Sequence, residues 1–474
     1  MAISKIILMY PNFYWKDGWE SRTLWTIHPY NIGLLAAMIE DKYYVKIIDA
    51  IIDNLTKREF AELIKAEKPD VVGISVLASE YGETGLIAAE IIKGIDPNIK
   101  TVLGGVHVTS NPMSVINNQY VDVAVVGEGE YVFKELCDYF NGDGVLPKKG
   151  IVYKKDGTII DTGRADFIED LDKLPFPAYH KIDFMKYATH IQRESVDRPR
   201  DLPYARILTS RGCPVGCCFC AVDNISGKKA RVRSPENILS EIEWLIKTYG
   251  IKAIQFDDDN LFIFKDRAKK LFQLMIEREL NLKWCAIAVA VFKLDEELLG
   301  LMKESGCQYI NIAIESGVER VLKDIIHKPV KLEYARRMIK RIKELEIDLV
   351  VNFIIGFPGE TWDEIRQTVK FAEELGCYTK LFIAVPLANT ELYRVANEKG
   401  YLVKGFDLNN HNWTDGCIET EEFRPQDLKI LRAYEWDRIN FTEPKKKKKI
   451  AEMMGISEER LDTIRKETLI RANP

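Results

Sequence analysis

The sequence lacks most of the features that would place it among nucleic-acid-binding, membrane or secreted proteins. Its 67 Lys and Arg residues against 72 Asp and Glu residues give a net charge of −5, so there is no excess of positive charge for binding nucleic acid. The longest apolar run, residues 284–292, is too short to span a bilayer. The first ten residues show neither a long apolar stretch nor a small-residue cleavage site, which argues against a signal peptide. These absences favour a cytoplasmic enzyme, and the length of 474 residues favours several domains.

Cysteine is present but is not arranged as a disulfide framework. The chain has nine cysteines, an odd number, and four of them crowd into residues 213–220. Clustered thiols in a reducing compartment usually indicate metal or redox chemistry. A structural zinc site commonly takes two separated pairs of cysteines, and no second Cys-x-x-Cys pair exists in this sequence. The other five cysteines are dispersed, most of them in apolar surroundings, which is typical of core residues.

Strand and helix patterns alternate in two long stretches. Between residues 5 and 139, five apolar segments without polar alternation predict a parallel sheet covered on both faces by helices. A second alternation of six strand–helix units runs from residue 205 to residue 385. Six units are too few for an eight-unit barrel and predict an open, partial one. The sequence shows no internal repeat.

The predicted fold class is therefore α/β. We predict a Rossmann-like domain over residues 1–142, a linker over 143–202 with a short hairpin near Asp156, a partial (β/α)6 barrel over 203–395, and a small, mostly helical C-terminal region over 396–474. The predicted strands are 5–10, 44–49, 70–78, 100–103 and 121–126, then 205–209, 253–257, 283–289, 309–315, 349–355 and 380–385. A run of five lysines at 445–449 is expected to begin a solvent-exposed helix, and binding of an anionic partner is the alternative.

Cys213, Cys217 and Cys220 lie in a Pro- and Gly-rich loop directly after the first strand of the predicted barrel. Their spacing is C-x3-C-x2-C, and thiolates are the soft ligands that suit iron–sulfur clusters. Three cysteines would leave one iron of a four-iron cluster without a protein ligand and open to a cofactor. The spacing resembles the radical S-adenosylmethionine (SAM) superfamily. The resemblance implies that the three cysteines hold a [4Fe–4S] cluster and that SAM binds the fourth iron through its amino and carboxylate groups.

The ends of later strands resemble the SAM-binding elements of the same superfamily. Three adjacent carboxylates at 257–259 are costly unless they meet cations or donors, and a solvated acidic turn is the alternative interpretation. In one departure, Asn389 replaces Gly in a Pro-x-x-Gly-Thr element; in another, the third strand lacks the arginine of many relatives, which puts a polar substrate anchor there in doubt. The resemblance implies SAM contacts from Phe219, Asp258, Asp259, Asn260, Glu315, Ser316, Asn352, Ile354 and Gly356.

A second motif lies in the first domain. Ser75-Val76-Leu77 is separated by 26 residues from Gly104-Gly105, and 41 residues separate Ser75 from Gly33. This spacing resembles cobalamin-binding Rossmann-like domains, whose small residues leave room for the nucleotide tail of the cofactor. Tyr30 stands where the family has its cobalt-ligating histidine, and His28 stands where it has aspartate, so the resemblance implies cobalt without the usual axial histidine. An ordinary core histidine is the alternative for His28. The implied cobalamin contacts are Tyr30, Gly33, Ser75, Leu77, Gly104, Gly105, His107, Gly127, Glu128 and Gly129.

Together the two motifs resemble the cobalamin-dependent (class B) radical SAM enzymes over about residues 3–395. The resemblance implies a methyltransferase with three cofactors, namely a [4Fe–4S] cluster, SAM and cobalamin. In that chemistry cluster-bound SAM gives a 5′-deoxyadenosyl radical, which takes hydrogen from an unactivated carbon, and methylcobalamin then delivers the methyl group. Ring rearrangement, cyclisation or oxidation of a lipid, sugar or tetrapyrrole without methyl transfer is the open alternative. A methylthiotransferase is disfavoured because only Cys137 precedes residue 200.

The same resemblance implies what the protein meets. We expect a small-molecule or lipid-like substrate and an electron donor such as flavodoxin or ferredoxin. We expect no nucleic-acid partner and no transmembrane segment. The sequence indicates no catalytic acid or base, and the intact cysteine set argues against a cofactor sensor without turnover.

Overall fold

The structure, a computed structural model, describes residues 3–16, 28–189, 196, 198–408 and 412–473. Its contacts divide the chain into two compact units. The N-terminal unit comprises Met1–Gln192, Asn224–Ser226 and Leu408–Asn410, and the C-terminal unit comprises Arg193–Asp223, Gly227–Asp407 and His411–Pro474.

The N-terminal unit is built on one sheet. Its strands are β1 (Lys5–Tyr10), β2 (Tyr44–Asp49), β3 (Val71–Ser75), β4 (Lys100–Gly104), β5 (Val123–Val125), β6 (Ile151–Lys155) and β7 (Thr158–Asp161). Its helices are α1 (Tyr30–Ala37), α2 (Lys57–Glu67), α3 (Gly82–Ile95), α4 (Val106–Ser110), α5 (Pro112–Asn117), α6 (Glu130–Asn141) and α7 (Phe184–Thr189). The strand order is β2-β1-β3-β4-β5-β6-β7, and β1 to β5 pair in parallel. The order reverses between β1 and β3, and sheets of this kind bind ligands beyond the carboxyl ends of the strands at that switch point.

The parallel strands explain the apolar runs of the sequence. All five residues of β3 are buried, because β3 lies inside the sheet and helices cover both of its faces. The prediction for this strand extended to residue 78, whereas β3 ends at Ser75. The apolar pattern continues past the end of the strand, where Val76 N still donates to Gly104 O (2.9 Å), so periodicity alone does not mark the end.

The hairpin of β6 and β7 belongs to this sheet. Sequence analysis placed it in a linker, but β6 pairs antiparallel with β5 along its first three residues. Asp156 and Gly157 at its turn both have positive φ (50° and 79°), as a tight two-residue hairpin turn requires. The hairpin covers the edge of β5, which would otherwise present free backbone N–H and C=O groups.

The C-terminal unit carries a second, fully parallel sheet. Its strands are β8 (Tyr204–Ile207), β11 (Ala253–Phe256), β12 (Lys283–Val289), β13 (Cys307–Glu315), β14 (Asp348–Ile355) and β15 (Tyr378–Ile383), and a small antiparallel pair is formed by β9 (Ser210–Arg211) and β10 (Arg231–Val232). The large sheet has the order β15-β14-β13-β12-β11-β8. Its strands follow one another in chain order and β8 and β15 are its two edges, so the predicted fold class, with an open six-stranded barrel, is confirmed.

Helices connect these strands and form the end of the chain. They are α8 (Val222–Ile225), α9 (Pro235–Tyr249), α10 (Lys265–Glu277), α11 (Glu296–Glu304), α12 (Leu332–Glu344), α13 (Trp362–Glu374), α14 (Glu391–Glu398), α15 (Pro425–Phe441), α16 (Pro444–Met454) and α17 (Glu458–Ala472). Residues Val321–Ile326 form a short π-helical segment. The sequence patterns did not indicate α7 or α14 as helices. Within the described ranges, no helix is both long and apolar enough to cross a membrane.

The C-terminal region completes the edge of the second sheet. The side chain of Asn440 accepts from Thr379 N (2.9 Å) and donates to Thr379 O (2.8 Å). Arg432 Nε donates to Leu381 O (3.0 Å), and Ile383 N donates to Trp413 O (2.9 Å). Outward-facing backbone groups of edge strand β15 are thus satisfied by residues of the last helices and the segment before them.

The lysine run does begin a helix, as expected, and three of its members are tied into the fold. Lys446 Nζ donates to Ile439 O (2.7 Å), which caps the end of α15. Lys447 pairs with Asp462 (2.7 Å) and Lys449 with Asp348 (2.9 Å). The charge run therefore joins α16 to its neighbours.

Candidate functional site

The loop after β9 brings Cys213, Cys217 and Cys220 to the carboxyl end of the second sheet. All three cysteines are half-buried and free of disulfides. Cys220 N donates to Cys217 O (3.0 Å), and Cys213 N donates to Gly227 O (3.2 Å), so backbone hydrogen bonds fix the loop. Burial raises the pKa of Cys217 to about 12, where Cys220 and Cys213 add to the effect, and that of Cys220 to about 11, where Cys213 adds to it. The three thiols lie in one short loop, and a metal would bind them as thiolates, with loss of their protons.

Cys218 differs from the other three in its surroundings. It is buried, and its backbone links two other elements: Cys218 N donates to Ile326 O (3.0 Å), and Leu392 N donates to Cys218 O (2.9 Å). Burial raises the pKa of its thiol. The backbone of Cys218 thus attaches the cysteine loop to the π-helical segment and to α14.

The donor set fits a cluster better than a single metal ion. In the described part of the chain, no three or more His, Cys, Asp or Glu side chains are placed to hold one ion. A single zinc ion needs its thiolates about 2.3 Å from one centre. A [4Fe–4S] cluster takes one cysteine for each iron, so its ligands stand further apart and can come from one loop. Three free cysteines in one loop at C-x3-C-x2-C spacing match that need.

The acidic residues that follow β11 accept hydrogen bonds from nearby donors, and each of them has different partners. Asp257 pairs with Arg206 and also accepts from Gln255 Nε2 (2.8 Å). Asp258 is fully buried and accepts from Thr209 N (3.1 Å), Thr209 Oγ1 (2.7 Å) and the Ser210 hydroxyl. Burial raises the pKa of Asp258 to about 6. This carboxyl braces the exit of β8, and only its Oδ2 has no protein partner within the described residues.

The next two residues reach the cysteine loop itself. Asp259 Oδ2 accepts from Gly212 N (2.9 Å), immediately before the first cysteine. Asn260 Nδ2 lies 3.8 Å from Cys213 Sγ. Of the residues predicted at this strand end, Asp259 and Asn260 are therefore the ones that the structure places beside the thiols.

The end of β13 holds a buried ion pair that sequence reasoning missed. Glu315 Oε1 accepts from Lys328 Nζ (2.8 Å), and Lys328 also donates to Ala313 O (2.7 Å). The next predicted residue, Ser316, is fully buried and bonds to Thr368 Oγ1 (3.1 Å) of α13. Ser316 therefore supports the strand end, whereas Glu315 stands close to the cysteines.

The exit of β14 meets the same loop. The rings of Phe219 and Phe357 lie with their centroids 5.9 Å apart. Gly356 has φ 88°, and a Cβ there would lie 2.5 Å from Leu428 Cδ1 of α15, so glycine is required. Glu360, which the sequence did not single out, is fully buried and accepts from Gly356 N (2.7 Å) and Phe357 N (3.1 Å).

Asn352 and Ile354, the remaining predicted SAM residues, lie on β14 itself. Asn352 is half-buried, and its Oδ1 has no protein partner within the described residues. Ile354 is 5% exposed. The predicted SAM residues thus gather at the carboxyl ends of β11, β13 and β14 and in the cysteine loop.

The predicted cobalamin residues gather at the carboxyl ends of the first sheet. Ser75 ends β3 at the switch point, and its hydroxyl accepts from Asn31 Nδ2 (2.9 Å). Asn31 Oδ1 accepts in turn from the Tyr10 hydroxyl at the end of β1. Asn31 lies between the predicted contacts Tyr30 and Gly33 but was not itself predicted as a contact. Because the Ser75 hydroxyl accepts from Asn31, its own hydrogen remains available to donate to another group.

Two of the motif glycines lie in tight packing, and one of them, Gly105, is required by it. Gly105 has φ 100°, and a Cβ there would lie 2.6 Å from Val76 O. A Cβ on Gly33 would lie 3.2 Å from Pro177 Cβ, and Ala178 N donates to Gly33 O (2.9 Å). Gly104 differs, because the nearest atom to a Cβ there is Val125 Cβ at 3.7 Å. Gly104 alone of the three could carry a Cβ at an ordinary van der Waals distance from its neighbours.

The other predicted contacts of this site have protein partners. His107 is buried, and burial lowers its pKa to about 4, so its ring is neutral at pH 7. A Cβ on Gly82 would lie 2.5 Å from that ring. Gly127 N donates to Thr109 Oγ1 (3.1 Å), and Glu128 Oε2 accepts from Ile168 N (2.8 Å). Gly129 precedes α6, and Leu77 is half-buried after β3.

Tyr30 and His28 occupy different environments. Tyr30 is half-buried and begins α1. His28 is buried, with its ring 5.6 Å from Phe184 and 5.8 Å from Tyr187, both on α7. Tyr187 also donates to Asp49 (2.8 Å) at the end of β2. The packing of His28 favours the core-histidine alternative.

Comparison with known proteins identifies the families to which the two parts of the chain are similar. Residues 207–372 match the family model of the radical SAM superfamily, and residues 24–137 match that of the B12 binding domain. The uncharacterized methyltransferase PH0819 of Pyrococcus horikoshii is 31% identical over 439 residues, which cover 91% of this chain and 92% of that protein. The chain belongs to the cobalamin-dependent radical SAM enzymes. Membership of this family brings three cofactors: a [4Fe–4S] cluster, SAM and cobalamin.

Two further relatives extend the comparison. Cytidylyl-2-hydroxyethylphosphonate methyltransferase of Streptomyces wedmorensis is 29% identical, and the match covers 82% of each chain. The solved structure of the cobalamin-dependent SAM radical enzyme OxsB, with aqua-cobalamin and SAM bound, superimposes with a TM-score of 0.74 at 16% identity. That match covers 99% of this chain and 72% of OxsB. The similarity of the two folds therefore includes the C-terminal region of this chain.

Proposed function

We propose that this protein is a methyltransferase that places a methyl group on an unactivated carbon of a small-molecule or lipid-like substrate. The observation that carries the proposal is the loop of three free, neighbouring thiols at the carboxyl end of an open parallel sheet, in a chain that also holds a B12-binding sheet. Extensive similarity to a protein named as a methyltransferase supports methyl transfer over rearrangement or cyclisation.

The chain's own residues hold the cofactors and shape the site. Cys213, Cys217 and Cys220 would each ligate one iron, and Asn260 would donate toward the Cys213 sulfur. Glu315, held by Lys328, and the Asn352 carbonyl would present acceptors to polar groups of SAM. When bound, the cluster and SAM supply a carbon-centred radical, and cobalamin supplies the methyl group. We propose flavodoxin or ferredoxin as the class of electron donor.

The substrate class follows from the polarity of the sheet. Strand β12 has no charged residue after Lys283, and Ile287 and Ala288 are its half-buried members near the carboxyl end. An apolar strand at this position suits a hydrocarbon portion of the substrate. Methyl transfer by this chemistry needs no proton acceptor on the protein, which agrees with the absence of an assigned acid–base pair.

The test is anaerobic expression with cobalamin, reconstitution with iron and sulfide, and analysis of both metals and products. We expect about four irons and about one cobalamin for each chain. With SAM carrying a deuterated methyl group and a cell extract of small molecules, we expect S-adenosylhomocysteine and 5′-deoxyadenosine together with a labelled product. 5′-Deoxyadenosine without S-adenosylhomocysteine would instead establish rearrangement or cyclisation. The matched control is the triple Cys→Ala variant at 213, 217 and 220.

A further inference from the structure

A row of three side chains crosses the second sheet from β13 to its edge strand β15. Lys380 of β15 pairs in register with Asn352 of β14, and Asn352 pairs in register with Ala313 of β13. Register partners on neighbouring parallel strands stand about 4.8 Å apart and present their side chains to the same face of the sheet. Lys380 therefore shares a face with Asn352, which was predicted as a SAM contact.

The packing of the alternate residues shows which face this is. Phe353 and its register partner Leu381 are buried, and the Phe353 ring meets that of Phe371 on α13, with the centroids 6.1 Å apart. Because side chains alternate along a strand, Asn352 and Lys380 face away from α13. All three residues of the row are half-buried, so the inner face of the open barrel is accessible there.

Lys380 is the charged member of this accessible face. The half-buried positions of β12 to β15, all of them described by the structure, are otherwise apolar or neutral, with the exception of Asp348. Asp348 begins β14 at the opposite, amino end of the sheet and pairs with Lys449 (2.9 Å). Phe382, also half-buried, continues the face from Lys380 toward the carboxyl end.

Two other cations of this unit have carboxylate partners within the chain. Arg206 of β8 pairs with Asp257, and Lys328 pairs with Glu315 (2.8 Å) at the end of β13. The charges of both cations are therefore balanced before any ligand binds. Lys380 differs from Lys328 in its exposure, since Lys328 is buried and Lys380 lies at a position that a ligand can reach.

A lysine at such a position recognises negative charge. Its ammonium carries three donors and no acceptor, and its attraction to an anion is stronger in a half-buried site than in bulk water. On the sheet, Asn352 lies between Lys380 and the apolar end of β12, where Ile287 is half-buried. A substrate with its hydrocarbon portion at β12 and an anionic group at β15 would place its middle beside the predicted SAM contact.

We propose that Lys380 binds an anionic group of the substrate, a carboxylate or a phosphoryl group, and thereby selects among methyl acceptors. The proposal rests on the proposed function, because it names the substrate class of that same site. Binding forms an ion pair with charge-assisted hydrogen bonds and needs no proton transfer or covalent step. A contact from Lys380 to the carboxylate of SAM is the competing assignment, and the two tests separate it from a substrate contact.

The first test measures the binding of simple anions to the reconstituted holoenzyme with saturating SAM and no reductant. Hexanoate, hexylphosphonate and hexanol share one hydrocarbon chain and differ in their charged group, and saturation-transfer NMR gives their dissociation constants. We expect at least one anion to bind about tenfold more tightly than hexanol, and the tighter of the two identifies the preferred group. Lys380→Met, which keeps an aliphatic side chain, should remove the preference.

Two variants control this measurement. Lys380→Arg keeps the positive charge and should keep the preference for the anion. Lys370→Met removes an exposed lysine of α13 and should bind all three compounds as the unaltered protein does. Absence of any preference in the unaltered protein, or a preference that survives in Lys380→Met, would overturn the proposal.

The second test separates the cell extract by anion exchange before the assay with deuterated SAM. We expect the labelled product only from the retained, anionic fraction. Lys380→Met should raise the KM for that fraction about tenfold with little change in kcat, and the dissociation constant of SAM should not change. A labelled product from the neutral fraction, or weakened SAM binding, would overturn the proposal and leave the methyltransferase function intact. No labelled product from any fraction would reject the proposed function, and the binding of hexanoate and hexylphosphonate then decides the role of Lys380.

Discussion

The two candidate sites differ in how far the protein alone explains their residues. In the N-terminal unit, Gly105 is required by its positive φ and the nearby Val76 backbone, Gly33 packs tightly against Pro177, and His107 is a neutral core side chain. In the C-terminal unit, Cys213, Cys217 and Cys220 are half-buried and free of disulfides, whereas Cys218 is buried in the core. A motif residue without a structural duty is stronger evidence for a ligand than one that the fold needs in any case.

The largest expected effect is on the three cysteines. Cys213→Ala should reduce the iron content from about four to near zero and abolish turnover. Because the thiol is half-buried, the free energy of unfolding of the metal-free protein should change by no more than about 0.5 kcal/mol. Iron analysis and urea unfolding measure the two quantities. Cys218→Ala should show the opposite pattern, with iron retained and stability reduced by about 1 kcal/mol. Equal iron contents in the two variants would contradict the assignment.

The second prediction separates the adjacent glycines of the first site. Gly105→Ala should destabilise the protein by about 1–3 kcal/mol or more, since its φ of 100° and the nearby Val76 O both exclude a Cβ. Gly104→Ala should leave stability nearly unchanged, because its Cβ would have room. If cobalamin lies against this strand end, Gly104→Val should fold and lose cobalamin binding. Thermal unfolding measures the stability of the variants, and absorbance titration measures their binding of cobalamin. If Gly104→Val bound cobalamin fully, Gly104 would not be a cobalamin contact.

A smaller effect is expected at Asn31. Asn31→Ala removes the donor to Ser75 and the acceptor for Tyr10, and each hydrogen bond contributes about 1 kcal/mol. If Ser75 contacts the nucleotide tail of cobalamin, the dissociation constant should rise about tenfold. Binding of cobinamide, which lacks that tail, should not change. A parallel loss for both compounds would show that Asn31 acts on the whole domain and not on Ser75.

The smallest expected effect concerns Glu360, a buried residue that accepts from two backbone N–H groups at the exit of β14. Burial raises its pKa from 4.5 to about 8, so its contribution to stability is present below about pH 4.5 and is lost as the pH rises toward 8. Glu360→Gln keeps an acceptor for Gly356 N and Phe357 N but does not titrate. The melting temperature of the variant relative to the unaltered protein should therefore increase from pH 5 to pH 8 by a few degrees. Glu344→Gln, on an exposed position of α12, should show no such trend.

Much of the fold could be predicted because its central strands are buried on both faces. The bounds of β1, β2 and β12 were predicted to the residue, since each apolar run ends where the chain leaves the sheet. The pairing of the 151–161 hairpin with β5 could not be predicted from the sequence, because it depends on which edge of the sheet is free. Edge pairing is a property of the assembled sheet, and local pattern does not carry it.

The site shows the same division. The spacing of the cysteines lies within one loop and is read directly from the chain. Lys328 and Glu360 act through contacts that form only when the strands are assembled, and a lysine or glutamate on a polar segment gives no signal of burial. The acidic strand end was correctly expected to need donors, but which carboxylate faced Thr209 and which faced Gly212 depended on the alternation of side chains along β11.

The cap on β15 has a consequence for how the molecule is made. Asn440 satisfies Thr379 from 61 positions further along the chain, and Arg432 reaches Leu381 from 51 positions away. A growing polypeptide presents the unprotected strand before these partners have been synthesised, so the second sheet cannot reach its finished state until the chain has been made at least as far as Asn440. During that interval the exposed strand is a template for pairing with other chains. Helix α15 therefore protects the edge of the sheet that carries the cysteines, but only after α15 itself has been synthesised.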